Sequence, residues 1–227
     1  MSTIAMETQP PGGLQPAPMV LFGASALAYM TLDGAGISAV WMAAMKIVPI
    51  AVLLWLAATA LAGSTRLLAI VALVFSATGD VLLAIPFNSH FVFGLDAFLL
   101  AQLTYTVTFA RHARLSLCLA GRAFAILVAA AMLAVQILPA AGPLALPVTL
   151  YIAAISAMAL SAAAHRDRSS LLFAGALAFM ASDALIAINR FLYPVPLSGT
   201  WIMLTYYAAQ ALLIIGLIRG ELAPRRA

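Results

Sequence analysis

The chain has 227 residues, of which 65% are hydrophobic and only 8% are charged, with a formal net charge of +4. An ordinary soluble domain has about 25% charged residues, so this composition excludes a soluble fold and predicts an integral membrane protein. Cys118 is the single cysteine, which excludes an internal disulfide framework. The basic residues form no stripe interleaved with aromatic residues, so we predict no nucleic-acid partner.

Apolar runs of membrane-spanning length follow one another along most of the chain. Residues 1–18 are rich in Pro, Gly and Gln, which predicts a disordered tail. A transmembrane helix needs about 20 mostly apolar residues. In chain order we predict a short first helix and then seven clear ones: Met19 to Leu32, Trp41 to Ala62, Leu67 to Pro86, Phe91 to Ala110, Leu117 to Leu138, Leu144 to Ala164, Ser170 to Leu192 and Gly199 to Arg219. The predicted fold is therefore an all-α, polytopic transmembrane bundle of about eight helices over residues 19–220, followed by a short basic tail, 221–227.

Arginines occupy every second connection between these helices. Only Lys46 and Arg190 lie toward the opposite side. Because short cytoplasmic loops are rich in Lys and Arg, we expect the arginine-rich side and the C-terminus to be cytoplasmic, in a bacterial inner membrane. The residues that define the arginine-rich side are Arg66, Arg111, Arg114, Arg122, Arg166, Arg168, Arg219, Arg225 and Arg226.

Two aspartates lie inside predicted membrane helices, where an ionised side chain costs at least about 2.5 kcal/mol. From the rise of a helix, Asp80 lies roughly 9 Å below the outer end of its helix, and Asp183 lies at nearly the same depth. Lys46 enters the membrane from the same side and can neutralise only one of them. Burial favours the protonated form of the other, so the pair can divide acid and base roles. The alternative for Asp80 is a structural ion pair with Lys46.

A short motif recurs around each aspartate. Gly79–Ala84 is similar to Ser182–Ala187, and in the helix that follows each of them Phe98–Gln102 matches Tyr206–Gln210. These matches predict two four-helix repeats in parallel orientation, with both aspartates facing one central cavity. Chance similarity in an Ala-rich chain is the alternative explanation.

The histidines argue against a metal centre. His90 lies on the outer side of the predicted bundle, whereas His112 and His165 lie on the inner side. A catalytic zinc ion usually needs three protein ligands at one point, which these positions cannot provide. We therefore predict no metal and no cofactor.

A series of short motifs from Lys46 to Gln210 carries a resemblance to a known family. In chain order they are Lys46-x-x-Pro49, Ser76-x-x-Gly79-Asp80, Gly94-x-x-x-Phe98, Tyr105, Tyr151, Ser182-Asp183, Arg190-Phe191 and Tyr207-x-x-Gln210. Together they resemble the YhhN-like family, the lysoplasmalogenases. The resemblance implies a multi-spanning enzyme that hydrolyses the vinyl-ether bond of a lysoplasmalogen to a fatty aldehyde and a glycerophospho-base. Gln102 departs from the pattern, because the family often has His there, so a role that needs an imidazole at that position is absent.

The chemistry that this resemblance implies needs an acid and a carboxylate. Protonation of the outer alkene carbon gives an oxocarbenium-like ion, which water captures as a hemiacetal. We therefore predict that Asp80 and Asp183 are catalytic, with the acid unassigned between them. The predicted partners are the lipid bilayer and a lysophospholipid or ether-lipid substrate, bound by Lys46, Ser76, Gln102, Tyr105, Tyr151, Ser182, Tyr207 and Gln210.

A different function remains as the alternative. A proton- or ion-coupled transporter of a small molecule or lipid would also use carboxylates within the membrane.

Overall fold

The protein was examined as a computed structural model that describes residues 16–33, 38–114, 117–165 and 169–222. The described residues form eight α-helices, which confirms the predicted all-α bundle. These are α1 (Pro16–Leu32), α2 (Ala39–Ala60), α3 (Gly63–Ala84), α4 (His90–Ala110), α5 (Leu117–Ala141), α6 (Ala145–Ala164), α7 (Ser169–Phe191) and α8 (Ser198–Leu222). Of the predicted tails, residues 1–15 and 223–227 lie outside the described residues, and α1 begins at Pro16.

Six helical segments of this described part are long and apolar enough to cross a membrane, and α1, with 17 residues, is shorter. One of the six, Leu119–Ala164, comprises most of α5, one turn of 3₁₀ helix at Gly142–Leu144, and α6. Gly142 has a φ of 53°, a left-handed conformation that glycine adopts without steric cost, and α5 and α6 pack against each other on either side of it. The protein is an integral membrane protein.

The two halves of the chain pack in the same pattern. Helix α3 packs along α4 as α7 packs along α8, and α4 packs against α6 as α8 packs against α2. The helices that carry the repeated aspartate and glutamine motifs therefore share these contacts, whereas the contacts of α7 with α5 and of α8 with α1 have no counterpart of similar extent among the described residues.

Glycines allow the helices within each half to approach closely. A Cβ atom at Gly79 of α3 would lie 2.6 Å from the ring of Phe98 in α4, and one at Gly216 of α8 would lie 2.7 Å from the Leu172 side chain in α7. Small residues at helix contacts are the usual means of close packing inside a membrane. The contact at Gly79 also fixes the position of Phe98, which lines the site described below.

The arginine-rich connections meet at one end of the bundle. Glu221 accepts a hydrogen bond from the Ala62 backbone at 3.0 Å, which joins the end of α8 to the turn between α2 and α3. The Arg114 amide donates to the Ala164 carbonyl at 2.7 Å, which brings the ends of α4 and α6 together. Of the arginines used to predict the sides, Arg166, Arg168, Arg225 and Arg226 lie outside the described residues.

Candidate active site

Asp80 lies in an ion pair inside the bundle. Lys46 Nζ of α2 is 2.9 Å from Asp80 Oδ1 of α3, and the two side chains are 13% and 2% exposed. The Tyr206 hydroxyl of α8 donates to Asp80 Oδ2 at 2.8 Å, and the Tyr207 hydroxyl donates to the Lys46 carbonyl at 3.0 Å. Both oxygens of the Asp80 carboxylate therefore have donors, and its charge has a counter-ion.

Asp183 of α7 lies in a second cluster, in which it has hydrogen-bond donors but no cation. Its Oδ2 atom accepts from the Tyr151 hydroxyl of α6 at 2.6 Å and from Gln102 Nε2 of α4 at 2.9 Å. Gln102 Nε2 also donates to the Tyr151 hydroxyl at 2.7 Å. The only salt bridge among the described residues is Lys46 with Asp80, so none of the cations in that part of the chain pairs with Asp183.

Three more of the predicted site residues form a buried chain of hydrogen bonds. The Tyr105 hydroxyl donates to Gln210 Oε1 at 2.7 Å, and Gln210 Nε2 donates to Ser76 Oγ at 2.9 Å. Ser182, next to Asp183, donates to the Ile202 carbonyl at 3.1 Å. These four side chains connect neighbouring helices and have partners within the protein.

An apolar cavity lies beside the Asp183 cluster and is lined by residues of helices α3, α4, α5, α6 and α7. Its empty volume is about 710 Å³, counting the open solvent at its mouth. Asp183 and Tyr151 are the only lining residues with polar side chains. The others are Leu83, Phe91, Leu95, Phe98, Ala130, Leu133, Val148, Ile152, Ile155, Met180, Ile186, Ala187 and Phe191.

Asp183 and Asp80 lie on different sides of an aromatic wall. The ring of Phe98 lines the cavity and packs perpendicular to Tyr206, with 5.7 Å between the ring centroids. Tyr206 in turn donates to Asp80. The sequence predicts that both aspartates face one cavity. In the structure Asp183 lines this cavity, whereas Asp80 does not and is connected to it through Tyr206 and Phe98.

One end of the cavity carries aromatic and basic residues that are not among the predicted site residues. Phe91 of α4 and Phe191 of α7 meet edge to face there, with 6.0 Å between centroids and an angle of 81°. The Arg190 guanidinium carbon lies 5.0 Å from the centroid of the Phe91 ring. The Arg190-Phe191 motif was the available signal, but the position of Phe91 depends on how α4 packs in the bundle.

The described residues contain no group of three His, Cys, Asp or Glu side chains able to hold a metal ion. His112 and His165 lie close together, with 5.5 Å between ring centroids, at the arginine-rich end of the bundle. No predicted site residue is therefore part of a metal-ligating group within the described ranges.

Comparison with known proteins gives one family. The YhhN family model matches residues 41–217 of the chain. Proteins named lysoplasmalogenase from Mycobacterium bovis and Mycobacterium tuberculosis are each 40% identical to it over 181 residues, which is 76% of this chain and 69% of each relative. Lysoplasmalogenase TMEM86A of Homo sapiens is 31% identical over 165 residues, which is 66% of this chain and 65% of the relative. No solved structure matches the chain significantly.

Proposed function

The chain belongs to the YhhN family, and on that premise we propose that it hydrolyses the vinyl-ether bond of lysoplasmalogen-like lysolipids to a fatty aldehyde and a glycerophospho-base. The family match confirms the resemblance predicted from its motifs, and relatives of 40% identity named lysoplasmalogenase confirm the prediction of a hydrolase.

The position of Asp183 is the observation that carries this proposal. A lysoplasmalogen presents a vinyl ether between a polar glycerol and a long apolar chain. The cavity offers a carboxyl group and a tyrosine hydroxyl on an otherwise apolar wall, in helices that cross the membrane. A site of this composition suits a reaction at the junction of the polar and apolar parts of a lipid.

We assign the proton donor to Asp183, because a carboxyl group that carries its proton needs no counter-ion in apolar surroundings. Asp183 transfers this proton to the outer alkene carbon, and the C=C bond becomes a C–C bond next to an oxocarbenium centre. Water adds to that centre and returns a proton to the Asp183 carboxylate, giving a hemiacetal. The hemiacetal then breaks its bond to the glycerol oxygen, which takes up the hydroxyl proton, and the aldehyde leaves.

Gln102 can form a hydrogen bond with Asp183 both before and after Asp183 transfers its proton. Its Nε2 atom donates to the Asp183 carboxylate, whereas its buried Oε1 atom has no partner among the described residues. Rotation of the amide brings Oε1 to the carboxyl, where it can accept from a protonated oxygen. An amide therefore provides a donor for one protonation state and an acceptor for the other.

Asp80 is the proposed ionised partner. The contacts run from Lys46 to Asp80, then to Tyr206, Phe98 and the cavity, so the negative end of the ion pair is the end nearer the cavity. A charge in a low-dielectric interior acts over a longer range than it does in water. We propose that Asp80 stabilises the oxocarbenium ion in this way, without touching the substrate.

We also propose that the C-terminus is cytoplasmic and that the membrane is a bacterial inner membrane. Arg111 and Arg114 lie where the end of α4 is hydrogen-bonded to the end of α6, and Arg66 and Arg219 lie near the hydrogen bond between the end of α8 and the α2–α3 turn. Basic residues favour the cytoplasmic side. A reporter fused to the C-terminus should be active only in the cytoplasm. Activity in the periplasm instead would reverse the orientation.

An aldehyde-release assay tests the function directly. The purified protein should release aldehyde from a lysoplasmalogen and none from an acyl lysophospholipid of the same chain length and headgroup. Asp183→Asn should abolish release, whereas Asp96→Asn, which changes an exposed aspartate of α4, should not. A folded Asp183→Asn variant with near-normal release would refute the mechanism. Release from neither lipid by the wild type would refute the function and favour transport.

A further inference from the structure

Arg190 is a basic residue at one end of the cavity, and no described residue forms an ion pair with it. It lies in the last turn of α7, its side chain is exposed, and its guanidinium lies over Phe91, which lines the cavity. In the part of the chain that the structure describes, the only salt bridge joins Lys46 to Asp80. Of the two basic residues predicted on this side, Lys46 is therefore neutralised, whereas the charge of Arg190 is available to a ligand.

A helix N-terminus lies at the same end of the cavity. Helix α4 begins at His90, so Phe91 belongs to its first turn. The backbone amides of His90, Val92 and Phe93 donate to the carbonyls of Phe87 and Ser89, whereas the Phe91 amide has no partner among the described residues. Free amides and the helix dipole at an N-terminus favour an anion. The charge of Arg190 and the start of α4 therefore favour the same kind of ligand.

The spacing along α7 suggests which anion this is. Arg190 follows Asp183 by seven residues, which is close to two turns, so both side chains project from one face about 10 Å apart along the helix. In a lysoplasmalogen about seven bonds separate the phosphorus from the outer alkene carbon, and an extended chain of that length spans about 8 Å. Helical side chains also lean toward the N-terminus, which directs Arg190 toward Asp183.

We propose that Arg190 binds the phosphate of the lysolipid and thereby places the alkene carbon at Asp183. This inference rests on the proposed function and adds a substrate preference to it: the enzyme selects lysolipids with a phosphate over neutral alkenyl glycerols. Arginine suits this role, because its planar fork of donors binds two phosphate oxygens together.

A purely structural role for Arg190 is the alternative. A basic residue in the last turn of a helix stabilises the helix dipole, and a guanidinium over an aromatic ring is favourable by itself. If Arg190 has only this structural role, replacing it should change the stability of the protein and should affect substrates with and without a phosphate equally.

The test compares two substrates that share one alkenyl chain, an alkenyl-glycerophosphoethanolamine and an alkenyl glycerol without phosphate. Arg190→Gln should raise KM for the phospholipid about tenfold or more, because charge-assisted hydrogen bonds are lost, with kcat changed less than about twofold. For the alkenyl glycerol neither constant should change. Arg190→Lys should lie between the wild type and Arg190→Gln. The matched control is Arg219→Gln, which removes an exposed arginine from the last turn of α8 and should behave as the wild type.

The assignment would be overturned if Arg190→Gln raised KM equally for both substrates, or if it lowered the melting temperature with no change in KM. If inorganic phosphate at millimolar concentration competes as well as the phospholipid does, the site binds free anions and the lipid assignment fails. If the wild type hydrolyses neither substrate, the proposed function fails separately. In that case, binding of two unreactive ligands tests Arg190: a saturated alkyl-ether lysophospholipid and the corresponding alkyl glycerol. If Arg190→Gln binds the phospholipid more weakly than the wild type does, and the alkyl glycerol equally well, the inference is sustained. If Arg190→Gln binds the phospholipid as tightly as the wild type does, the inference is refuted.

Discussion

Replacing Asp80 by asparagine should separate its structural role from its catalytic one. Lys46 Nζ lies 2.9 Å from Asp80 Oδ1, and both side chains are largely buried. Removing one partner of a buried ion pair costs about 3–5 kcal/mol, because the other charge stays buried without compensation. The amide oxygen of asparagine can still accept from Lys46, so we expect the lower value, about 3 kcal/mol.

Thermal unfolding in detergent measures this cost. A loss of about 3 kcal/mol lowers the melting temperature by roughly 6–12 °C in a domain of this size. Asp183→Asn is the matched variant, because no cation of the described residues pairs with Asp183, and its melting temperature should change by less than about 2 °C. Both variants should lose aldehyde release by about a hundredfold or more, as expected when an acid or its charged partner is removed.

The double variant Lys46→Met/Asp80→Leu completes the experiment. Replacing both partners of a buried ion pair by apolar residues of similar volume is often neutral, so the double variant should recover most of the lost melting temperature but none of the activity. An Asp80→Asn variant as stable as the wild type would refute the argument. So would an equal loss of stability in Asp183→Asn.

Three further outcomes follow from the site. Gly79→Ala should lower the activity, and it should lower the free energy of unfolding by about 1–3 kcal/mol, because the new Cβ would lie 2.6 Å from the Phe98 ring. The control in the melting and activity assays is Gly23→Ala, because no atom lies within 4 Å of a Cβ at that position. Tyr151→Phe removes a donor to Asp183 and should slow aldehyde release about 10- to 100-fold without unfolding the protein, and an unchanged rate would exclude Tyr151 from the reaction. Treatment with a chelator should leave turnover unchanged, and activity that is lost and then restored by added metal would contradict the site described here.

The helices could be predicted from the sequence, because a helix long enough to cross a membrane depends on the distance along the chain between polar residues. Apolar length and flanking residues placed every helix within a few residues of its observed bounds. The prediction that the fifth helix ends at Leu138 was too short, since α5 continues through Pro139 to Ala141 and the turn occurs at Gly142. A proline removes one backbone donor but does not always end a helix within a membrane.

The arrangement around the bundle axis could not be predicted, because it depends on which helix faces which. Asp80 and Asp183 have similar sequence surroundings, yet Lys46 reaches only Asp80, and the wall of Phe98 and Tyr206 divides the two clusters. A cavity was predicted, but its position beside Asp183 and the apolar residues that line it were not. Leucine and isoleucine are equally suitable for facing lipid or for lining a cavity, so composition does not distinguish them.

Asp183 and Arg190 share one uninterrupted helix, and this has a consequence for how the protein moves. Helices α2 and α5 contain Pro49 and Pro139, whereas α7 has no proline from Ser169 to Phe191. If neighbouring helices move during the proposed reaction, Asp183 and Arg190 keep their spacing, because one continuous helix carries both. Inserting one residue between Asp183 and Arg190 would rotate one side chain by about 100° relative to the other, so on the proposed mechanism it should uncouple lipid binding from proton transfer without altering either side chain.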